Sequence, residues 1–155
     1  MKYLRISALL LLALCACSKQ GPVVKKLDPQ VAKVGIMAID WPKTVGASGE
    51  FTVATLVRNV GPQTLPALGG AVDDALHVNM AYHWLSMDGK PVIWDGLRTP
   101  IGAALGASDS HEVKLAVRAP PTPGDYVLEV DVVQEKEFWF GGVGSQTARM
   151  TINVQ

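Results

Sequence analysis

Three histidines are the first candidates for chemistry, because imidazole serves both as a metal ligand and as a general acid or base. They are His77, His83 and His111. His77 and His83 would share one face of a strand, but at about 3.3 Å per residue their Cα atoms would be about 20 Å apart, too far for one metal ion. No nearby arrangement with Cys or Asp suggests a zinc site. The sequence therefore predicts no metal and no cofactor, and a structural hydrogen bond for His83.

Nucleophilic and acid–base residues are also weakly supported. Ser145 lacks the Gly-x-Ser-x-Gly context that presents a catalytic serine on a strand-to-helix turn. Glu135 and Glu137 would share one strand face, and such a pair is more often a solvated edge than the two carboxylates that flank a glycosidase cleft. We therefore predict no catalytic residue and no enzymatic activity. The alternative is a small hydrolase that uses Glu135 or Asp95.

Aromatic residues and an arginine beside turns are better candidates for binding. We predict that Trp94, Arg98 and Trp139 lie near one another at the end or edge of the fold and contact a ligand. Indole faces offer apolar area at little rotamer cost, and a guanidinium adds fixed donors for hydroxyl or carboxylate oxygens. The alternative is that the tryptophans seal the end of the core and that Arg98 pairs with Asp95 or caps loop carbonyls.

Short apolar runs bounded by turn residues must position these side chains. The chain has 155 residues, 48% of them hydrophobic, which supports one packed domain. The spacing of the runs is typical of an all-β, antiparallel β-sandwich of about seven strands. On the third strand, Tyr82 and Trp84 are predicted to face the core. The long segment 61–76 is expected to cross between two sheets. The candidate strands are Val34–Ile39, Glu50–Val60, His77–Met87, Pro91–Trp94, Glu112–Val117, Tyr126–Val133 and Met150–Val154.

The first residues of the chain have the pattern of a targeting signal. Lys2 and Arg5 precede the uncharged, leucine-rich run 6–16. A membrane-spanning helix needs about 20 apolar residues, so this shorter run indicates a secretory signal peptide. The end of the run, Leu-Cys-Ala-Cys at 14–17, resembles the bacterial lipoprotein signal. That resemblance implies that the leader 1–16 is removed and that Cys17 carries acyl chains such as palmitate. A plain secretory signal and a short buried helix are the alternatives.

The lipoprotein resemblance implies an address and a domain organisation. Residues 17–30 would be the lipidated cysteine and a tether, and residues 31–155 the folded domain. Ser18 after the cysteine implies a lipid-anchored protein of the bacterial cell envelope, at the outer membrane. Fourteen basic residues balance fourteen acidic ones, so no basic excess favours binding to nucleic acid. The expected partner is the membrane, through the lipid anchor.

Several stretches resemble one kind of bacterial immunoglobulin-like module, found in glycosyltransferases and other surface-polysaccharide proteins. The stretches that resemble this module are 82–89, 94–100 and 133–140, while the turn and strand at 123–128 and the end of a strand at 58–61 resemble bacterial immunoglobulin-like domains in general. The resemblance implies an immunoglobulin-like sandwich, a corner tyrosine at Tyr126, and a non-catalytic domain that binds a glycan or an envelope protein. Leu65 stands where such modules often have tryptophan. A purely structural module of an envelope assembly is the remaining alternative.

Overall fold

The protein was analysed as a computed structural model, which describes residues 24–67 and 75–155. The predicted signal peptide 1–16, the lipidated Cys17 and the start of the tether lie outside the described residues. Within the described ranges the regular structure is strand, apart from one 3₁₀ turn at Gly141–Val143. The strands are β1 (Val34–Asp40), β2 (Thr44–Val45), β3 (Glu50–Asn59), β4 (Val78–Ser86), β5 (Pro91–Ile93), β6 (Thr99–Pro100), β7 (Ser110–Arg118), β8 (Gly124–Gln134), β9 (Phe138–Trp139) and β10 (Ala148–Val154).

Alternating side chains explain why these segments form half-buried strands. In β7, Val113, Leu115 and Val117 are buried, while Glu112 and Lys114 between them are exposed. Successive residues of a strand point to opposite faces, so this alternation places one apolar face on the core and one polar face in water. Each of the seven strands predicted from the sequence overlaps a strand of the structure, with ends that differ by at most two residues. The short strands β2, β6 and β9 are not among the predictions.

Two sheets pack face to face. The smaller has the order β1-β3-β7, and the larger has the order β2-β10-β8-β4-β5. All pairings are antiparallel except that β2 runs parallel to β10. The chain thus changes sheets between its first two strands, and the long β3–β4 connection crosses from one sheet to the other, as predicted. This strand order is an immunoglobulin-like β-sandwich, which confirms the fold class.

A corner contact ties the start of β8 to the loop before it. The Tyr126 hydroxyl donates a hydrogen bond of 2.9 Å to the Thr122 carbonyl. The tyrosine ring lies 6.1 Å from the Trp84 ring in an edge-on arrangement. This arrangement is the tyrosine corner that the sequence predicted at Tyr126.

The packed domain begins earlier than the sequence indicated. Leu27 is 4% exposed and belongs to the core, although the tether was expected to extend to residue 30. Gln134 holds this segment, since its Oε1 accepts the Leu27 N–H at 3.0 Å and its Nε2 donates to the Lys25 carbonyl at 3.0 Å. A few apolar residues in a polar stretch give no periodic signal, so the sequence pattern could not reveal this contact.

Candidate functional site

Strand β4 is buried on both faces, which is unusual for a sheet that could leave one face in water. Met80, Tyr82 and Trp84 face the core between the two sheets, and the predicted core position of Tyr82 and Trp84 is confirmed. His83 points to the outer face of the larger sheet and is nevertheless 1% exposed. Something must therefore cover the outer face at this point.

The segment after β5 supplies one part of that cover. The Trp94 carbonyl accepts a hydrogen bond from His83 Nδ1, and the two rings stack with centroids 3.9 Å apart. The Gly96 N–H donates to the Tyr82 carbonyl at 3.0 Å. A Cβ atom at Gly96 would lie 2.5 Å from the Tyr82 ring, so the segment reaches β4 because this residue is glycine.

The other part of the cover comes from β9, which folds back onto the end of β8. Trp139 lies opposite Val133 in this pairing. Its indole is 4.3 Å from the His83 ring and 6.3 Å from the Trp94 ring, measured between centroids. The imidazole of His83 therefore contacts two indoles, and Trp94 remains 52% exposed at the surface.

Arg98 links the two covering segments. Its Nε donates to Glu135 Oε1 at 2.9 Å, and its Nη1 donates to Asp95 and to the Gly96 carbonyl. Its guanidinium carbon lies 4.9 Å from the centre of the Trp139 ring, within the range of a cation–π contact. Burial lowers the pKa of Arg98, but the hydrogen bonds to Asp95 and Glu135 outweigh it, so the pKa is raised above its ordinary value.

The predicted arrangement of the two glutamates is wrong. We expected Glu135 and Glu137 on one solvated strand face, but β8 ends at Gln134 and a turn follows. Lys136 takes a positive φ of 63° in that turn. Glu135 is 7% exposed and accepts a hydrogen bond from Asn79 at 3.0 Å, while Glu137 pairs with Lys26.

A cavity of about 450 Å³ opens on the outer face of the larger sheet, next to the two indoles. Trp94 and Trp139 line one side of it. The polar side chains that line it come from three neighbouring strands and from the segment before β10. They are His83 on β4, Glu129 and Asp131 on β8, and Arg149 on β10, with Ser145 and Thr147 nearby.

The two carboxylates of the cavity are held differently. Glu129 Oε1 accepts hydrogen bonds from Thr147 at 2.8 Å and from Arg149 at 2.9 Å, so it has a cationic partner. Asp131 is 2% exposed, and both its oxygens accept the Gly141 N–H, at 2.9 and 3.1 Å. A Cβ atom at Gly141 would lie 2.7 Å from Asp131, so this close approach also requires glycine.

His83 and Asp131 face each other across a short gap. Nε2 of His83 lies 3.7 Å from Oδ2 of Asp131, longer than a hydrogen bond. In the part of the chain that the structure describes, this buried Nε2 has no hydrogen-bond partner. Buried polar atoms are nearly always hydrogen-bonded, and His83 lines the cavity, so its unpaired nitrogen is the kind of group that a ligand satisfies.

The structure brings together all three residues that the sequence singled out, because Trp94, Arg98 and Trp139 form one contact cluster. Sequence reasoning missed the contribution of Glu129 and Asp131. The alternation of β8 placed both on the face opposite the core, and charged residues there are typical of a solvated surface. Nothing in the local pattern indicated that other segments would cover them.

Within 24–67 and 75–155, no group of three or more His, Cys, Asp or Glu side chains has the arrangement of a metal site. The same residues contain no helix long and apolar enough to cross a membrane.

No protein-family model and no curated protein matches the chain. Among solved structures it is similar to the CARDB domain of a Pyrococcus furiosus protein, at 16% identity and a TM-score of 0.43 over 80% of this chain and 94% of that one. It is similar to a β-glucosidase from Listeria innocua, at 11% identity and 0.45 over 79% of this chain and 16% of that one. An alkylpurine DNA glycosylase from Pseudomonas fluorescens matches at 14% identity and 0.45, over 80% and 31%. Overlaps this weak assign no family and no function to the chain.

Proposed function

We propose that this protein is a non-catalytic, lipid-anchored binding protein of the bacterial cell envelope, and that its ligand is a glycan. The observation that carries the proposal is the cavity on the outer face of the larger sheet, with Trp94 and Trp139 on one side. Aromatic rings beside polar side chains suit a sugar, because the apolar face of the sugar stacks on the ring while its hydroxyls bond to the polar groups. An envelope protein is the other expected kind of partner.

The contacts of Asp95 and Glu135, the carboxylates of the alternative hydrolase, support binding over hydrolysis. A glycosidase needs one carboxyl that can be protonated and a second that acts opposite it across the substrate. Asp95 and Glu135 instead bind the same guanidinium, that of Arg98, on one side of the cluster. This arrangement suits a fixed structural network that holds Trp139 in place.

Exchange of the exposed indole tests the binding proposal. Trp94→Ala should weaken binding of a glycan by about 2 kcal/mol or more, because the ring offers its free face to the cavity. Calorimetric titration of the purified domain with neutral, acidic and amino oligosaccharides measures the effect. Ile39→Ala is the matched control, since Ile39 is an apolar residue with similar exposure (48% against 52%) on β1 of the smaller sheet and does not line the cavity.

The titration also separates the remaining alternatives. A domain that binds no oligosaccharide but retains an envelope protein in a pull-down through the same Trp94-dependent surface has a protein ligand. A domain that binds neither contradicts the binding proposal and leaves the structural module. Turnover of an oligosaccharide that is lost in both Glu135→Gln and Asp95→Asn would show that the domain is a hydrolase.

The lipid anchor is tested at Cys17. Because only the cysteine sulfur can form the thioether, Cys17→Ser should block processing or release the domain from membranes. Membrane fractionation and the mass of the mature chain measure this. Cys15→Ser is the control, since Cys15 belongs to the leader that is removed. Normal processing and membrane association of the Cys17→Ser protein would show that the lipoprotein prediction is wrong.

A further inference from the structure

We propose that the outer-face cavity binds a primary ammonium group, held between Asp131 and His83, and that an amino sugar of the glycan carries it. The inference rests on the proposed function, because it names the ligand chemistry of the same cavity. It depends on four features: the protonation of His83, the spacing of two acceptors, the charge of the lining, and the indoles beside them.

The hydrogen bond to Trp94 determines which nitrogen of His83 carries the proton. A backbone carbonyl can accept but not donate, so Nδ1 must be the donor in this contact. In the neutral imidazole the other nitrogen, Nε2, is then an acceptor with a free lone pair. This atom is the one that has no hydrogen-bond partner among the described residues, and the residue that carries it lines the cavity.

Two acceptors therefore face each other with no donor between them. Nε2 of His83 and Oδ2 of Asp131 are 3.7 Å apart, and neither can donate to the other when His83 is neutral and Asp131 ionised. A nitrogen at about 2.8–2.9 Å from both atoms fits at the apex of that triangle. A primary ammonium carries three hydrogens, so it can donate to both acceptors at once, whereas a single hydroxyl can donate to one.

The charge of the lining favours a cation. The cavity is lined by two carboxylates, Glu129 and Asp131, and by one guanidinium, Arg149, which is bound to Glu129. Asp131 is left as a buried carboxylate whose donors are backbone N–H groups. Burying a charge is unfavourable unless it is paired, so a ligand cation would stabilise this carboxylate. Arg98 does not supply the missing charge, since Asp95 and Glu135 already neutralise it.

The two indoles also favour a cationic ligand. Trp94 and Trp139 line the cavity beside His83, with ring centroids 6.3 Å apart. The face of an indole attracts a cation within about 6 Å, and it also stacks on the apolar face of a sugar ring. An ammonium attached to a sugar ring uses both properties, with the ring on the indoles and the nitrogen at the acceptor pair.

A matched pair of ligands tests the proposal. A tetramer of β-1,4-linked glucosamine carries ammonium groups, and its fully N-acetylated counterpart has the same ring and linkage without the charge. Calorimetric titration of the mature domain should give binding of the glucosamine tetramer about ten- to a hundredfold tighter than of the N-acetylated one.

The matched protein variants are Asp131→Asn and Asp125→Asn. Asparagine at 131 keeps the shape and an acceptor for the Gly141 N–H but removes the charge, and it should weaken binding of the glucosamine tetramer about ten- to a hundredfold. Asp125 is an exposed residue of the same strand, bound to Asn153, and its replacement should change nothing. Thermal unfolding of each variant shows that the loss is not a loss of folding.

The outcomes separate this proposal from the one on which it rests. Equal binding of both tetramers, lost together in Trp94→Ala but unaffected by Asp131→Asn, overturns the ammonium site and leaves the glycan-binding function standing. Absence of binding to every oligosaccharide overturns both. A lysine-containing peptide that binds in an Asp131-dependent way while the glucosamine tetramer does not would overturn the amino sugar as the occupant.

Discussion

Side chains on both faces of β4 are buried, but different parts of the protein bury them. On the inner face, Trp84 is fully buried among aromatic rings, 6.3 Å from Phe51 and 6.4 Å from Tyr82, and its indole N–H donates to the Arg118 carbonyl at 2.9 Å. On the outer face, His83 is buried to the same degree, but by a stacked indole that is itself half exposed. The inner face is closed by the opposite sheet, and the outer face by two short segments.

This difference explains why the cavity lies where it does. Opposing sheets pack along their whole length and leave few voids, because side chains interdigitate across about 10 Å. The segment 94–98 and strand β9 cover the outer face only where they cross it, so the surface beside them stays open. The inner face therefore contributes stability, and the outer face combines fixed polar groups with accessible rings, which is what a binding site requires.

The largest expected effect follows from removing the inner indole. Trp84→Ala should destabilise the domain by about 3–5 kcal/mol, because it leaves a cavity among rings that cannot close around it and a partly buried carbonyl without its donor. Chemical denaturation of the purified domain measures the loss. If Trp94→Ala on the outer face lowered stability as much as Trp84→Ala, the claim that the inner face contributes the stability would be wrong.

A smaller effect is expected from separating the covering segment from β4. Gly96→Ala places a methyl group 2.5 Å from the Tyr82 ring, so either the ring or the segment must move, at a cost of about 1–3 kcal/mol. Because the segment carries Trp94, ligand binding should weaken in the same variant. Gly46→Ala is the control, since nothing lies within 4 Å of the added carbon and Gly46 does not line the cavity. Equal denaturation midpoints for the two variants would show that the close approach at Gly96 is not needed.

The sequence predicted the inner face much better than the outer one. Alternation in β8 placed Leu128 and Val130 on the core side, because a periodic pattern reports directly on the face that the opposite sheet covers. The burial of Asp131 depends instead on Gly141, and that of His83 on Trp94 and Trp139. These partners lie 10 to 56 residues away along the chain, and their approach depends on turn geometry, which leaves no periodic trace.

Loss of the tyrosine-corner hydrogen bond should lower the stability of the domain by less than the two changes above. Tyr126→Phe keeps the ring against Trp84 and removes the 2.9 Å hydrogen bond to the Thr122 carbonyl. Because this bond is exposed to solvent, water can replace the lost donor, and the expected cost is about 0.5–1.5 kcal/mol. Urea denaturation should show an unchanged slope and a lower midpoint. An unchanged midpoint would mean that the ring alone fixes the corner.

The smallest expected effect lies at the turn between β4 and β5. Asp88 is fully exposed there, and hydrogen bonds from the side chain of Lys90, and then of Ser86, hold its pKa below the ordinary value of 3.8. A carboxyl whose pKa is lower in the folded state stabilises that state when ionised, and this contribution is lost as the pH falls through the folded pKa. In Lys90→Ala the pKa of Asp88 should rise towards 3.8, because the largest cause is removed. NMR titration of the Asp88 carboxyl measures it, with Lys114→Ala on β7 as the control. A pKa that is unchanged by the loss of Lys90 would show that the turn backbone, and not the ion pair, determines this titration.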